Sequence, residues 1–361
     1  MAKQNSTRER QSAHFPAFET DAPLEVANSL APFKALVKKL SEAYGPSGSE
    51  EAVRDLVRDE IKGFVDQVRV DALGNLIAQR RGSGSHRQKI LLSAHLDEIS
   101  LMITFLDARG FARFGMLGAV KPLTLLGARV QFESGAIGVI GREEKNAART
   151  EIDPEALFID VGASSAENAS VRVGEAVCFA REFVDAGAFL VGKALNDRAG
   201  CAVLIETLRQ LKKSPYDLFF VFTAQHQVGA RGAGAAAYAL QPDLAFVIDA
   251  AAAHDLPGAP TNGIALGKGP AIKFQDEGAL TNSKARQMLL NAARDARVPH
   301  QLDVTPRANG DTLPIQAARE GVPTGALAIP MRYLNTPSEM IQHDDAQNAI
   351  KLLLALISKS G

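Results

Sequence analysis

The sequence has no tryptophan and only four tyrosines among 361 residues. Flat platforms for stacking bases or sugar rings are therefore poorly supplied. It also has almost no net charge, because 40 basic residues face 41 acidic ones. That excludes a strong long-range field for nucleic acid or for an anionic membrane. No apolar run reaches the ~18 residues that a membrane span needs. Cysteine is scarce, and Cys178 and Cys201 form neither a CxxC pair nor a metal spacing. They read as two reduced, buried thiols. The opening residues, MAKQNSTRERQSAHFPAFETDAP, lack the apolar core of a signal peptide. Residues 1–22 are expected to form a flexible tail, and the chain is expected in the cytoplasm.

What is present is a regular alternation. The runs KILLSAHLD, DLFFVFTA, LAFVIDA and TGALAIP are short and continuously apolar, the pattern of strands buried on both faces of a parallel sheet. Helical spacing separates them at Ala199–Lys212, Ser283–Ala296 and Asp344–Lys359. Upstream, GPSGSEEAVRDLVRDEIKGF predicts a helix capped by Ser47 or Ser49, with Val53, Leu56, Val57 and Ile61 on one face. VRVDALGNLIAQRRG predicts a hairpin with a Gly-Asn turn. Strands alternating with helices predict an α/β, doubly wound, mainly parallel sheet. Residues 110–185 differ, being rich in Gly and short β-like runs, and predict a small inserted β-domain. Residues 23–109 plus 186–361 then make up the α/β domain, in line with a length that suits one large domain and a smaller one.

In open α/β sheets, chemistry sits at the carboxyl ends of the strands. Here those ends carry His95, Asp97 and Glu98, then Gln225-His226-Gln227, then Asp249, then the loop YLNTPSE. The segment GKALNDRAG leads into a helix at Ala199. HxD places His95 and Asp97 on one face, where the carboxylate can fix the imidazole tautomer, although a structural histidine reads equally well. Asp249 suits a ligand or a loop cap. Asn196-Asp197-Arg198 suits a helix cap with a salt bridge. His226 suits a base, a ligand or polar filling. The triplet around it contains no carboxylate.

Taken together, AHLDEISLMI, GKALNDRAGCAVLIETL, VFTAQHQVGARGA, AFVIDAAAAHDLPG, LGKGPAIKF, VTPRANGDT and GVPTGALAIPMRYLNTPSE resemble the TET-type aminopeptidases. These are metallopeptidases related to glutamyl and leucyl aminopeptidases and sometimes called cellulases or endoglucanases. The resemblance runs from about Phe33 to Ile357. It implies a zinc-exopeptidase fold, a co-catalytic pair of zinc or cobalt ions, and dimers building a hollow tetrahedral, dodecameric particle. In the implied alignment His95, supported by Asp97, and Asp249 are retained as metal ligands. The bridging Asp falls on Asn196, the general-base Glu on His226, the ligand Glu on Gln227 and the C-terminal ligand His on Asn335. Asp311 falls in the loop near the substrate pocket.

Three of these exchanges (Asp to Asn, Glu to Gln, His to Asn) preserve shape or polarity while removing charge. Two divalent cations ~3.5 Å apart repel by roughly 19 kcal/mol at an effective dielectric of ~20. Of the acidic ligands only Asp249 remains to offset this, and amide oxygens are poor zinc ligands. The two-metal centre is therefore not expected; no metal, or one weakly bound zinc or cobalt, is. A single ion could use His95, Asp249 and either His226 or His254.

The leading expectation is a catalytically inactive member that assembles with itself or an active paralogue, or binds a peptide or other ligand. The alternative is a metallo-aminopeptidase acting on peptide N-termini through an altered single-metal centre, or metal-free acid–base work by His226 with Asp249 or Asp311. Nucleic acid and membrane partners are not expected.

Overall fold

The computed structural model describes residues 31–84, 87–143, 152–259, 263–276, 278–305 and 310–358. The predicted tail at residues 1–22 lies outside the described residues, as do parts of the GSGSHRQ and VTPRANGDT segments.

Four of the apolar runs form the centre of the main sheet. Asp217–Thr223, Lys89–His95, Leu244–Ala252 and Thr324–Arg332 lie side by side and parallel. Alternate residues point to opposite layers. Leu92, Phe220 and Phe246 pack with the helices Leu195–Gln210, Ser283–Asp295 and His343–Ser358. Leu91, Phe219, Val221 and Ala245 pack with the helix Arg231–Leu240 and with Ile315. Burial on both faces explains why these strands read as unbroken apolar runs. The hairpin Gln67–Val70 with Leu76–Arg80 joins one side of the sheet antiparallel. Glu339–Gln342, Phe189–Gly192 and Val184–Ala186 extend the other.

The second unit is a closed barrel in the order Ser100–Leu106, Ala112–Leu117, Leu157–Asp160, Ile137–Arg142, Arg129–Phe132, Ala176–Phe179. Its own core includes Leu101, Ile103, Val130, Phe132, Ile159 and Phe179. The barrel starts at Ser100, earlier than the boundary at residue 110 read from the sequence. The first barrel strand follows HLDE almost directly, with no turn residue to mark the crossing. At the other end Val184–Ala186, which straddles the end of the expected 110–185 insert, pairs with Phe189–Gly192 of the main sheet.

The helix Glu51–Ile61 buries Val53, Val57 and Ile61, as its spacing predicts. Its expected serine cap is not made: the N-cap position is Glu50, and no side chain caps it. Ser47 is used elsewhere, as described below. Among the described residues, no helix is long and apolar enough to cross a membrane.

Candidate active site

The carboxyl ends of the parallel strands converge as the sequence suggests. His95 closes its strand and is almost fully buried. Its Nδ1 lies 2.8 Å from the main-chain oxygen of Asp97. A carbonyl only accepts, so Nδ1 carries the proton and Nε2 keeps its lone pair. Asn196 Oδ1 stands 3.3 Å from that Nε2; both atoms are acceptors in this tautomer, so they are neighbours without a hydrogen bond. Burial, then the charge of His226, holds the His95 ring well below its ordinary pKa, so it is neutral.

Asp97 supports His95 through its carbonyl and not, as expected, through its carboxylate, which stands 3.7 Å from Nδ1. The carboxylate instead accepts the backbone N–H groups of His226 at 2.9 Å and Gln227 at 2.8 Å, and the Ser47 hydroxyl at 2.6 Å. It clamps the turn after Thr223, where Gln225 adopts a positive φ of 57°.

His226 lies parallel to His95, with ring centroids 3.8 Å apart. Its Nδ1 is 2.8 Å from Asp311 Oδ1, and the Thr223 hydroxyl donates to Asp311 Oδ2 at 2.6 Å. Burial alone would lower the His226 pKa. The hydrogen bond and charge of Asp311, followed by Asp249 and Asp97, overcome it and push the pKa up to about 10. His226 is therefore an imidazolium at neutral pH. Asp311 begins a short helix, but its side chain makes no cap bond there; it serves His226.

Asp249 is 7% exposed. Burial raises its pKa to about 6, Asp276 adds to this, and His226 and Lys273 oppose it. Lys273 is buried with its ammonium 2.8 Å from Asp276 Oδ1, while Thr312 donates to Asp276 Oδ2 at 2.8 Å. Two parallel couples result: Asp311 takes a cation and a threonine hydroxyl, and so does Asp276.

Asn196 and Asn335 are brought together. The Asn196 Nδ2 donates to Asn335 Oδ1 at 3.4 Å. Glu339 binds both backbones, accepting from Asn196 N at 2.9 Å and Asn335 N at 3.0 Å. Burial raises the Glu339 pKa to about 8. Asp197, beside Asn196, is a helix cap: its carboxylate accepts from Gly200 N at 3.2 Å and from His95 N at 3.3 Å. Arg198 pairs with Glu98 at 3.4 Å and fills the carbonyls of Leu40, Ala43 and Gly45. The cap-and-salt-bridge reading of this segment thus describes Asp197 and Arg198.

Two expected residues are turned away. The Gln227 side chain lies against Gly118 of the barrel, where an added Cβ would strike its Oε1. His254 is exposed and sits beyond the strand, its N–H on Ile264 O. Sequence reasoning passed over Glu339, Lys273, Asp276 and Thr223, and gave Ser47 only a capping role. The signal for Lys273 was a lone cation inside the apolar AIKF; that for Glu339 was its place in the YLNTPSE loop.

The donors present do not fit a pair of divalent ions, and they do not fit one ion shared by the two histidines. The rings lie face to face 3.8 Å apart, and an imidazole nitrogen binds metal in its own ring plane, so two such stacked planes do not converge on one zinc at ~2.0–2.1 Å. Among the described residues, no three His, Cys, Asp or Glu side chains are grouped so as to hold a metal ion.

A buried parallel sheet whose polar strand ends meet in one buried cluster, with a barrel inserted beside it, defines an α/β scaffold with its candidate centre at the strand ends. The model of the M42 glutamyl aminopeptidase family matches residues 74–352, and the chain belongs to that family. It is 38% identical over 324 residues to a putative aminopeptidase of Acetivibrio thermocellus, covering 89% of this chain and 97% of that one. Among solved structures it resembles aminopeptidase APDkam598 of the archaeon Desulfurococcus kamchatkensis, with a TM-score of 0.87, 37% identity, and coverage of 91% and 95%. It also resembles the Pyrococcus horikoshii TET1 peptidase, with a TM-score of 0.81, 32% identity, and coverage of 91% and 100%. That peptidase can assemble into a tetrahedron or a large octahedral shell.

Proposed function

We propose that this chain uses the M42 pocket to bind the N-terminal end of a peptide without two-metal hydrolysis, and that it assembles with copies of itself. The carrying observation is the His226–Asp311 couple stacked on His95, beside the Asn196–Asn335 amide pair. Side chains satisfy one another at the positions where the resemblance implies metal ligands and the general base. These bonds form with no divalent ion in the charge balance. Self-assembly is supported by the assemblies of the TET1 relative.

Kinship favours a second reading. Aminopeptidases are similar over nine-tenths of this chain, which supports hydrolysis of peptide N-termini through an altered, single-metal centre. His95 and Asp249 are the donors left for it.

Metal analysis after zinc or cobalt incubation and desalting, with a panel of aminoacyl substrates assayed on the same samples, separates the two. The binding reading expects negligible metal, no turnover, and peptide binding unaffected by EDTA. One metal per chain, with turnover lost on chelation, establishes the altered hydrolase instead.

A further inference from the structure

The barrel meets the main domain along a cleft that shares no residue with the strand-end centre. Its volume is about 450 Å³, and Lys38, Glu42, Arg129, Arg181, Glu182 and Lys193 line it. The barrel strand Arg129–Phe132 builds one wall. Val130 and Phe132 turn into the barrel core, so Arg129, by strand alternation, faces outward. Its main-chain oxygen accepts from Ala180 N at 2.9 Å, which holds Arg181 on the neighbouring chain segment, one residue further on. The opposite wall is the helix Pro32–Glu42, where Lys38 and Glu42 stand one turn apart.

The charges in this cleft are not equally committed. Glu42 accepts the backbone N–H of Phe183 at 3.0 Å, which fixes the segment that follows Arg181. Lys193 commits its ammonium to both oxygens of Glu98, at 2.7 and 2.8 Å, and to the carbonyl of Ala43 at 3.1 Å. It therefore gives the cleft only its stem. The Lys38 ammonium and the Arg129 and Arg181 guanidinium groups are exposed. They have no hydrogen bond or ion pair among the described residues, although two glutamates line the same cleft. Cationic groups around one concavity repel one another, and an anion between them relieves the repulsion. A guanidinium presents paired N–H donors that match two oxygens of a carboxylate or phosphoryl group. The cleft volume lies within the range of small-molecule sites. We propose that this cleft binds a small oxyanion, held by Arg129 and Arg181 from the barrel and by Lys38 from the helix. The ligand then bridges the two units, at a place independent of the peptide-binding reading.

The test is calorimetric titration of the full, EDTA-treated chain with inorganic phosphate and with succinate, at ionic strength held constant with potassium chloride. The expected result is one anion per chain for at least one probe, with affinity falling as salt is raised, because exposed cations are screened. Phosphate alone assigns the cleft to a phosphoryl ligand, and succinate alone to a carboxylate. Combining Arg129→Gln with Arg181→Gln should weaken binding at least about tenfold. Combining Lys213→Gln with Lys351→Gln removes the same charge from exposed positions elsewhere, and should leave affinity within about twofold. A second measurement needs no variant: the bound anion should slow phenylglyoxal modification of Arg129 and Arg181, mapped by mass spectrometry, and not that of exposed Arg69. Binding of neither probe, equal weakening in the two double variants, or unprotected Arg129 and Arg181 overturns the inference. Binding lost on His226→Gln but kept without the two arginines places the anion on the buried imidazolium, and overturns it as well.

Discussion

The rings of His95 and His226 are stacked within 10° of parallel, yet they hold opposite protonation preferences. Burial and the neighbouring charge keep His95 neutral, while Asp311 keeps His226 charged. Two imidazolium rings at that distance would repel strongly in a buried site, so a single positive charge on the pair, carried by His226, is the stable arrangement. It is a division of charge that needs no metal.

That division gives stability a definite pH slope. The folded chain raises His226 from 6.5 to about 10. The stability it contributes is complete below pH 6.5 and is lost as pH rises through about 10. Asp249, raised from 3.8 to about 6, and Glu339, raised from 4.5 to about 8, also bind protons more tightly when folded. Their favourable contributions likewise fade as pH rises. Denaturant unfolding should therefore show falling stability between about pH 7 and 10, and His226→Gln should flatten that slope. A wild-type curve level across this range would show that His226 is not held charged.

Zinc binding should depend on His226 as well as on the missing acids. Asn196→Asp, Gln227→Glu and Asn335→His return the donors implied by the family resemblance, but leave an internal cation beside them. The triple variant should carry little zinc by mass spectrometry, whereas adding His226→Glu should raise it toward two ions per chain. Full loading of the triple variant would mean that the imidazolium does not oppose the metal.

The couple between Asp311 and His226 should be worth more than a surface ion pair. Asp311→Asn leaves a buried imidazolium unpaired, and is expected to cost about 3–5 kcal/mol in unfolding experiments. Thr223→Val removes only a hydroxyl donor to the same carboxylate, and is expected to cost about 1 kcal/mol. In the His226→Gln background the Asp311→Asn penalty should shrink, because no buried cation is then stranded. Additive penalties would show that the two side chains are energetically independent.

Much of this was readable from residues and spacing, and the failures have physical causes. The four parallel strands were legible because burial on both faces leaves an unbroken apolar signature, as in DLFFVFTA. Their polar ends pointed to one pocket because strand ends in such sheets share an edge. The residues at Asn196, His226, Gln227 and Asn335 were visible from identity, and what they stand in place of is only what the resemblance implies. Direction was not: that the carboxylate of Asp97 turns to backbone amides, or that Gln227 faces the barrel, depends on long-range packing that leaves no trace in spacing. Ser47 was misread as a cap because its real acceptor, Asp97, lies 50 residues away. The barrel boundary was misplaced because Ser100–Leu106 follows the site with no turn between them.

The contact between Gln227 and Gly118 ties the barrel to the pocket, and it can be isolated. Gly118 has a φ of +86°, a conformation that costs an L-residue roughly 1–2 kcal/mol. An added Cβ would also meet the Gln227 side-chain oxygen. Gly118→Ala should therefore destabilise by more than the backbone strain alone. Paired with Gln227→Ala, which clears the collision but not the strain, the penalty should fall back to roughly 1–2 kcal/mol. The same pair of variants reports on the pocket: if Gln227 acts as a spacer against the barrel, Gln227→Ala should leave peptide affinity within about twofold, because less than ~0.5 kcal/mol is at stake. If its amide instead turned toward His95 and touched the ligand, that substitution would weaken binding while leaving the Gly118→Ala penalty unrelieved.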